Sequence, residues 1–351
     1  MPSFVTATVT ALLSERAGLQ RVDTEAGRAY VLTDVVGPVA PGDRVVLNTT
    51  AVDLGLGTGG WHVVHWNTAR DAWSRRGSGH IMKVRYTSVQ VDAGAAEEHH
   101  PDLPTSVPGT PVVACSLHSQ VAVVAAVAHH LRPAARIAYV MTDGAALPLA
   151  LSDLVHALRG AGVLATTITA GHAFGGDLEA VAVPSALALA VHVARADLVV
   201  VGMGPGVVGT ASALGTTAVE VAAVVDVAAR LGARVGLCCR ASDGDRRARH
   251  RGVSHHVRTI LDLATVPPEV PLPPAVAGEV EGAVPVDPPD VGAVLDGMGL
   301  RVTTMGRGPA EDPLFFGAAG AAGRWAADAV AGGDGTAAVG PTPAGPAHVE
   351  K

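Results

Sequence analysis

The chain has 351 residues, 48% of them hydrophobic, which is enough for one large or two medium cores without disulfide staples. With 42 glycines, 24 prolines and 16% charged residues, the chain is neither collagen-like nor largely disordered. A net charge of −7 disfavours nucleic-acid or anionic-membrane binding, and three cysteines give no disulfide or metal framework. The sequence also shows no secretion signal and no long apolar span, so a soluble cytoplasmic protein is predicted.

Residues 1–95 are predicted to form a small all-β domain, an antiparallel barrel or sandwich. Apolar residues alternate with polar ones from the start of the chain, and Gly and Pro turn signals such as Pro41-Gly42 separate the short runs. The predicted strands begin at Val5 and continue at residues 19–24, 29–33 and 44–48.

Residues 96–110 are predicted to be a linker, and residues 111–331 a Rossmann-like α/β domain with a mostly parallel sheet. Strand-like runs alternate there with apolar residues at helical spacing. The predicted strands are residues 112–116, 136–141, 163–168, 197–201 and 234–239. The predicted amphipathic helices are centred on residues 151–158, 221–228 and 257–264, the last capped by Ser254.

The C-terminal part is predicted to pack as a final unit after a stiff connector. Five prolines within residues 267–274 exclude a helix there. Beyond them we expect a helix at 291–298, a strand at 300–304 and a helix at 314–330 that begins with Asp312 as cap and Pro313. The Gly/Ala/Pro-rich tail, residues 332–351, is predicted to be disordered.

The most specific local motif is glycine-rich and follows a predicted strand. Gly204, Gly206 and Gly209, followed by Thr210, satisfy the pattern G-x-G-x-x-G ahead of a predicted helix, where backbone amides bind phosphates or carboxylates. The motif follows the fourth strand rather than the first, and Asp226 lies inside a predicted helix, which argues against a dinucleotide site. No Walker lysine is present. A dinucleotide, another anion and purely structural glycines remain the three interpretations, and the cofactor is unknown.

Polar residues follow the predicted strands, where ligands of parallel sheets bind. His118, Asp143 and His172 come after the first three strands and could converge as an acid/base set or as metal ligands. The alternative is that each one caps a helix or bonds a loop. The sequence contains no H-E-x-x-H or C-x-x-C, so we predict no metal site from motifs.

Lys83 stands out because Lys351 is the only other lysine among 25 basic residues. Three of the four tryptophans precede it closely. In a strand through this segment Lys83 and Arg85 would share one face, and we expect the β domain to carry them over the crevice of the α/β domain, with Lys83 as an amine or proton donor. The alternative is a lysine on a solvated strand face.

Basic residues also recur between the last predicted strand and helix of the sheet. Arg246, Arg247, Arg249 and Arg251 have no aromatic residues among them, so a solvated loop is predicted rather than a nucleic-acid patch.

Several segments resemble an uncharacterised bacterial family of this length, known as a domain of unknown function. They are residues 59–62 (GGWH), 79–86 (GHIMKVRY), the glycine-rich motif, and residues 305–308 and 311–316 (MGRG and EDPLFF). The resemblance covers nearly the whole chain. It implies no activity, cofactor or site residue.

The sequence thus predicts a protein that binds a small anionic metabolite at the carboxyl edge of a parallel sheet, with or without transforming it. Gly204, Gly206, Gly209 and Thr210 would form the cradle. A non-catalytic ligand sensor and a metal-dependent hydrolase using the strand-end residues are the alternatives. Neither nucleic acid nor membrane is an expected partner, and a homo-oligomer is compatible with the sequence.

Overall fold

A computed structural model describes residues 2–57, 59–77 and 79–332. The predicted disordered tail lies outside the described residues, apart from Gly332, which ends the last helix. None of the described helices has the length and apolar character that a membrane crossing requires.

The N-terminal part is a closed five-stranded barrel in the order β1-β2-β3-β5-β4, which confirms the predicted barrel. All neighbouring strands are antiparallel except β3 and β5. Alternate residues point inward, Val9, Val22 and Val45 among them, and form a separate small core. The strands are β1 (Phe4–Arg16), β2 (Leu19–Thr24), β3 (Gly27–Val31), β4 (Arg44–Asn48) and β5 (His62–Asn67), with the one-turn helices α1 (Thr33–Val36) and α2 (Thr50–Asp53).

A two-stranded hairpin of β6 (Met82–Lys83) and β7 (Val91–Asp92) follows the barrel. Val84 and Tyr86 have positive φ, which L-residues rarely adopt in a strand, so the extended segment ends at Lys83. The predicted shared face of Lys83 and Arg85 is therefore wrong: Lys83 is buried and Arg85 is exposed.

The second part is built on a six-stranded, fully parallel sheet in the order β11-β10-β9-β12-β8-β13. This confirms the parallel α/β class. The order is not the 3-2-1-4-5-6 of a dinucleotide-binding sheet, so the Rossmann-like assignment is not confirmed. The strands are β8 (Pro111–Cys115), β9 (Ile137–Thr142), β10 (Thr166–Ala170), β11 (Leu178–Ala180), β12 (Leu198–Met203) and β13 (Arg234–Cys238).

Helices cover both faces of this sheet. The faces of β8 show the division, because Val113 and Cys115 belong to one core and Val112 and Ala114 to the other. The first core packs against α3 (His118–Leu131) and α4 (Asp153–Gly160), and the second against α5 (Val183–Ala188), α6 (Glu220–Arg230) and α7 (His255–Leu263). The side chain of Ser254 caps α7 as predicted, by accepting from the His256 amide.

Beyond α7 the chain returns to the first face of the sheet. The proline-rich segment is more than a connector, since Glu269 bonds to the edge of β13 and Leu272 is fully buried. The predicted strand at 300–304 is wrong, because only Thr304 forms an isolated bridge, to Arg307. The remaining elements are β14 (Ala241–Ser242), β15 (Gly252–Val253), β16 (Pro271–Leu272), β17 (Val284–Pro285), α8 (Pro274–Ala277), α9 (Val291–Gly297) and α10 (Pro313–Gly332).

Candidate functional site

A cavity of about 370 Å³ opens at the carboxyl edge of the parallel sheet. Most of its lining residues come from the segments that follow three adjacent strands, β12, β8 and β13, and Leu154 and residues 303–305 complete the lining. The connection after β8 runs to α3 on one face of the sheet, and the connection after β12 runs to α6 on the other. Neighbouring strands whose connections diverge in this way leave a crevice between them, which is where ligands of open α/β sheets bind.

The glycine loop, residues 204–216, forms one wall of the cavity, with Gly206, Gly209 and Thr210 among the lining residues. Gly206 has φ +103° and open space where a Cβ would lie, so the backbone approaches the cavity directly. Gly204 instead allows close packing, because a Cβ there would lie 2.6 Å from the Ala146 carbonyl oxygen.

The expectation that a helix directly follows the motif is wrong. A 3₁₀ turn begins at Thr217 and α6 only at Glu220, after the loop has folded back on itself. The amide of Thr210 donates to the Gly215 carbonyl, so it is used within the loop. The loop therefore offers a closely approaching backbone rather than the first turn of a helix.

His118 lies at the start of α3 in the cavity wall, and protein groups bond both of its ring nitrogens. The Met203 carbonyl oxygen, 3.1 Å away, can only accept, so Nδ1 carries the proton. Nε2 then accepts from the Ser152 hydroxyl at 2.7 Å. Burial lowers the pKa of His118 to about 4, although the Met203 carbonyl acts to raise it. The ring is neutral at pH 7.

The cavity is also lined by a group of basic residues that we call the arginine–histidine cluster. It lines the cavity with three arginines and two histidines from the segment after β13. Its members are Arg240, Arg247, Arg249, His250 and His256.

Two buried carboxylates hold this cluster in place. Asp245 is bonded through both carboxylate oxygens by Arg247, at 3.0 and 2.8 Å, and lies 3.6 Å from Arg240. Asp312 acts through the neighbouring Arg307, which bonds the Oδ2 atom of Asp312 at 2.9 and 3.0 Å and lies 3.8 Å from Asp245. Hydrogen bonds from Arg247 keep the pKa of Asp245 well below its usual range.

The carboxylate of Asp312, predicted to cap the last helix, also accepts from the Ser242 hydroxyl and from the amides of Asp243 and Gly244. These three partners lie in β14 and in the loop that follows it. This links the start of α10 to the cluster.

Burial and repulsion between like charges lower the pKa values of Arg240, His250 and His256. The pKa of Arg240 falls to about 10 because its guanidinium is buried beside other arginines. Burial and the charge of Arg240 lower the pKa of His250 to about 3 and that of His256 to about 4. At pH 7 the cavity therefore presents charged guanidinium groups next to neutral imidazoles.

Asp143 and His172 lie together at the ends of β9 and β10, away from His118. The Asp143 carboxylate accepts from the His172 backbone amide at 2.9 Å, and the His172 ring accepts from the Val84 amide at 3.0 Å. Neither residue is among those that line the cavity. Because β12 lies between β8 and β9, His118 is separated from this pair by a whole strand.

Lys83 reaches the α/β part from the hairpin after the barrel and is 1% exposed. Its ammonium group donates to the carbonyls of Thr169 and Ala173, at 2.9 and 2.6 Å, and to the Glu179 carboxylate at 2.7 Å. All three protons are thus used, and Lys83 does not line the cavity. The segment docks on the α/β part, but it places Lys83 at β10 and β11 rather than over the cavity as expected. The alternative of a lysine on a solvated face is wrong as well.

The arginine–histidine cluster is the feature that motif reading missed. The arginine run was interpreted as a solvated loop, although Arg247 and Arg249 line the cavity. The available signal was the position of the run directly after a strand of the parallel sheet, with His250, His255 and His256 following within a few residues. No established motif has this spacing, so only the folded structure shows that these residues meet.

Comparison with known protein families gives a match. The model of a family described as "Protein of unknown function (DUF3866)" matches residues 28–323, which is most of the chain. None of the curated proteins matches, and none of the solved structures does.

Proposed function

The chain belongs to the DUF3866 family of proteins of unknown function, and we propose that it binds a small anionic metabolite in the cavity between the glycine loop and the arginine–histidine cluster. The single observation that carries this proposal is the convergence of three arginines on one cavity at the carboxyl edge of the sheet.

Arginine suits this role because its planar guanidinium binds carboxylate or phosphate oxygens in pairs and stays charged. Arg247 and Arg240 are already fixed by Asp245. Arg249 is exposed, and the described part of the chain offers it no hydrogen bond or ion pair. Two cations held by Asp245 and one cation without a bonded partner among the described residues therefore face the cavity. An anion would complete the pairing.

Apolar residues also line the cavity. Two of them, Val208 and Met305, are 63% and 70% exposed. Exposed apolar groups beside charged ones indicate a ligand that has an anionic head and an apolar body. A ligand of this kind would cover both side chains while its head pairs with Arg249.

A hydrolase built on His118, Asp143 and His172 has less support. His118 has no ring nitrogen free, and it lies across β12 from the other two. Acid/base catalysis requires the acting groups to reach one substrate. A binding function therefore has more support than a hydrolase, and a non-catalytic ligand sensor would use the same cavity.

The test is binding of inorganic phosphate, measured by calorimetry on protein treated with a chelator. Arg249→Gln removes the unpaired charge from the cavity and is expected to weaken phosphate binding about tenfold, the cost of one charged hydrogen bond. Because Arg249 is exposed, the fold should be unchanged.

The matched control is Arg246→Gln. Arg246 is also exposed and carries the same charge three residues away, but it does not line the cavity. Phosphate affinity should match the wild type in this variant. Equal weakening by both substitutions would mean that phosphate responds only to overall charge, and the proposal would fail.

A further inference from the structure

Two histidines of the arginine–histidine cluster, His250 and His256, come together with His255 beside the cavity. One ring nitrogen from each of His250, His255 and His256 lies within 4.8 Å of the other two. The ring centroids are 4.3 to 5.1 Å apart. His255 and His256 are the first two residues of α7, and His250 comes from the turn before β15.

Two of these rings carry a nitrogen that is buried without a partner. Within the described residues, Nε2 of His255 and Nε2 of His256 make no hydrogen bond. An unpaired buried polar atom costs free energy, so it calls for a specific explanation. His250 differs, since its Nδ1 lies 2.7 Å from the Ser254 hydroxyl, an arrangement that leaves Nε2 for another partner.

We propose that His250, His255 and His256 bind a divalent transition metal ion of the zinc class, with its open coordination position toward the anion cavity. Three imidazoles with a fourth position for water or ligand are a known zinc arrangement. Zinc–nitrogen bonds of about 2.1 Å place the nitrogens about 3.4 Å apart, so the rings must close in by on the order of 1 Å. The Ser254 hydroxyl would then accept from Nδ1 of His250 and orient that ring.

The surrounding positive charge makes this site depend on an anion, and to that extent the inference rests on the proposed function. Arg240, Arg247 and Arg249 repel a metal cation, whereas an anion in the cavity would offset them. Arg240 connects the anion cavity to the histidines, since it lines the cavity and its Nη1 lies 3.3 Å from Nδ1 of His256. A guanidinium only donates, so Nε2 of His256 carries the proton while the metal is absent.

Metal binding at Nε2 moves that proton to Nδ1 of His256 with no net proton release. The Nδ1 proton then faces Arg240, whose guanidinium must turn away toward the cavity, where an anion can accept from it. Anion and metal should therefore strengthen each other's binding, and linkage requires the effect to be the same in both directions.

The experiment is zinc titration of chelator-treated full-length protein, with inorganic sulfate as the anion because zinc phosphate is insoluble. Wild type should bind one zinc ion per chain, and sulfate should tighten the binding about tenfold. Cobalt(II) in place of zinc should give the visible absorption of a tetrahedral nitrogen site. Absence of stoichiometric binding to the wild type would overturn the proposal.

Two variants separate the site from adventitious binding. His255→Ala removes a ligand that is only half-buried, and zinc affinity should fall at least about 100-fold. The control is the double variant His99→Ala/His100→Ala, an exposed adjacent pair outside the cluster, which should bind zinc like the wild type. Equal zinc affinity in His255→Ala and wild type would refute the site.

The outcome also separates this inference from the proposed function. Sulfate binding to the chelator-treated protein without zinc binding would refute the metal site and leave the anion cavity intact. Zinc binding that is indifferent to sulfate would refute the link between the two sites.

Discussion

At the scale of single residues, the structure divides the predicted site residues between two roles. Lys83 and His118 have every polar hydrogen and acceptor bonded within the protein, so their visible contacts are structural. Arg249 has no bonded partner among the described residues, and Nε2 of His255 and Nε2 of His256 are buried without one. Sequence reasoning singled out Lys83 because lysine is rare in this chain, and His118 because it follows a predicted strand. It did not single out arginines in a loop.

We expect Lys83→Met to destabilise the protein by about 3 kcal/mol, because it leaves the Glu179 carboxylate without its buried partner. Urea unfolding at pH 7 measures this change. In the double variant with Glu179→Gln the loss should be less than the sum of the two single losses. Strict additivity of the two substitutions would contradict a direct buried ion pair.

His118 predicts a specific pH dependence of stability. Its pKa is about 4 in the folded protein, where burial lowers it, and 6.5 as the ordinary value. The unfolded chain therefore binds the proton first, so this contribution is complete above pH 6.5 and is lost as the pH falls to 4, by about 3 kcal/mol.

The measurement compares wild type with His118→Asn, whose amide can still donate to the Met203 carbonyl. Denaturant unfolding at a series of pH values should show the stability difference between the two proteins shrinking from pH 7 to pH 4. Parallel curves would show that His118 titrates normally in the folded protein.

At the scale of elements, the sequence predicts regular structure better than it predicts loops. The alternating apolar pattern in β2 and the helical spacing in α6 and α7 placed those elements within a few residues, because burial on one face leaves a periodic signal. The segment at 300–304 has strand-like residues but finds no neighbouring strand. Strand pairing depends on distant segments, so short β segments and the strand order were not predictable.

The glycine loop gives a prediction at this scale. Replacing Gly206 with Phe places a ring in the cavity, since the position of its Cβ is open, and should abolish stabilisation of the protein by phosphate. Thermal unfolding with and without phosphate measures this. Gly42→Phe is the control: Gly42 has a similar positive φ, +95°, and open space, but lies in a barrel turn.

Both substitutions carry the same backbone strain, so both should lower the melting temperature slightly. Only Gly206→Phe should lose the phosphate effect. Retention of full phosphate stabilisation by Gly206→Phe would mean that the anion does not lie on the glycine loop.

At the scale of the whole molecule, the barrel and the α/β part are joined by contacts of two kinds. The exposed contacts are ion pairs of Arg16 and Arg21 with Asp153, at 2.8 and 2.7 Å. The buried contact is Lys83, which fixes the hairpin after the barrel against the ends of β10. The sequence indicated that this segment meets the sheet, but the burial of its lysine depends on partners almost a hundred residues away and left no local signal.

Asp153→Asn should therefore change stability by less than about 1 kcal/mol, since the Asp153 side chain is 64% exposed and water screens the pair. Unfolding in urea should remain a single transition. Separate unfolding of the barrel in this variant would show that the exposed pairs, rather than the buried lysine, hold the two parts together.

The central claim is that an anion binds between the glycine loop and the arginine–histidine cluster. A crystal structure with selenate, located by the anomalous scattering of selenium, tests it most directly. The account predicts the strongest selenate peak within hydrogen-bond reach of Arg247 or Arg249 and close to the Gly206 backbone. An empty cavity in crystals that bind selenate elsewhere would contradict it.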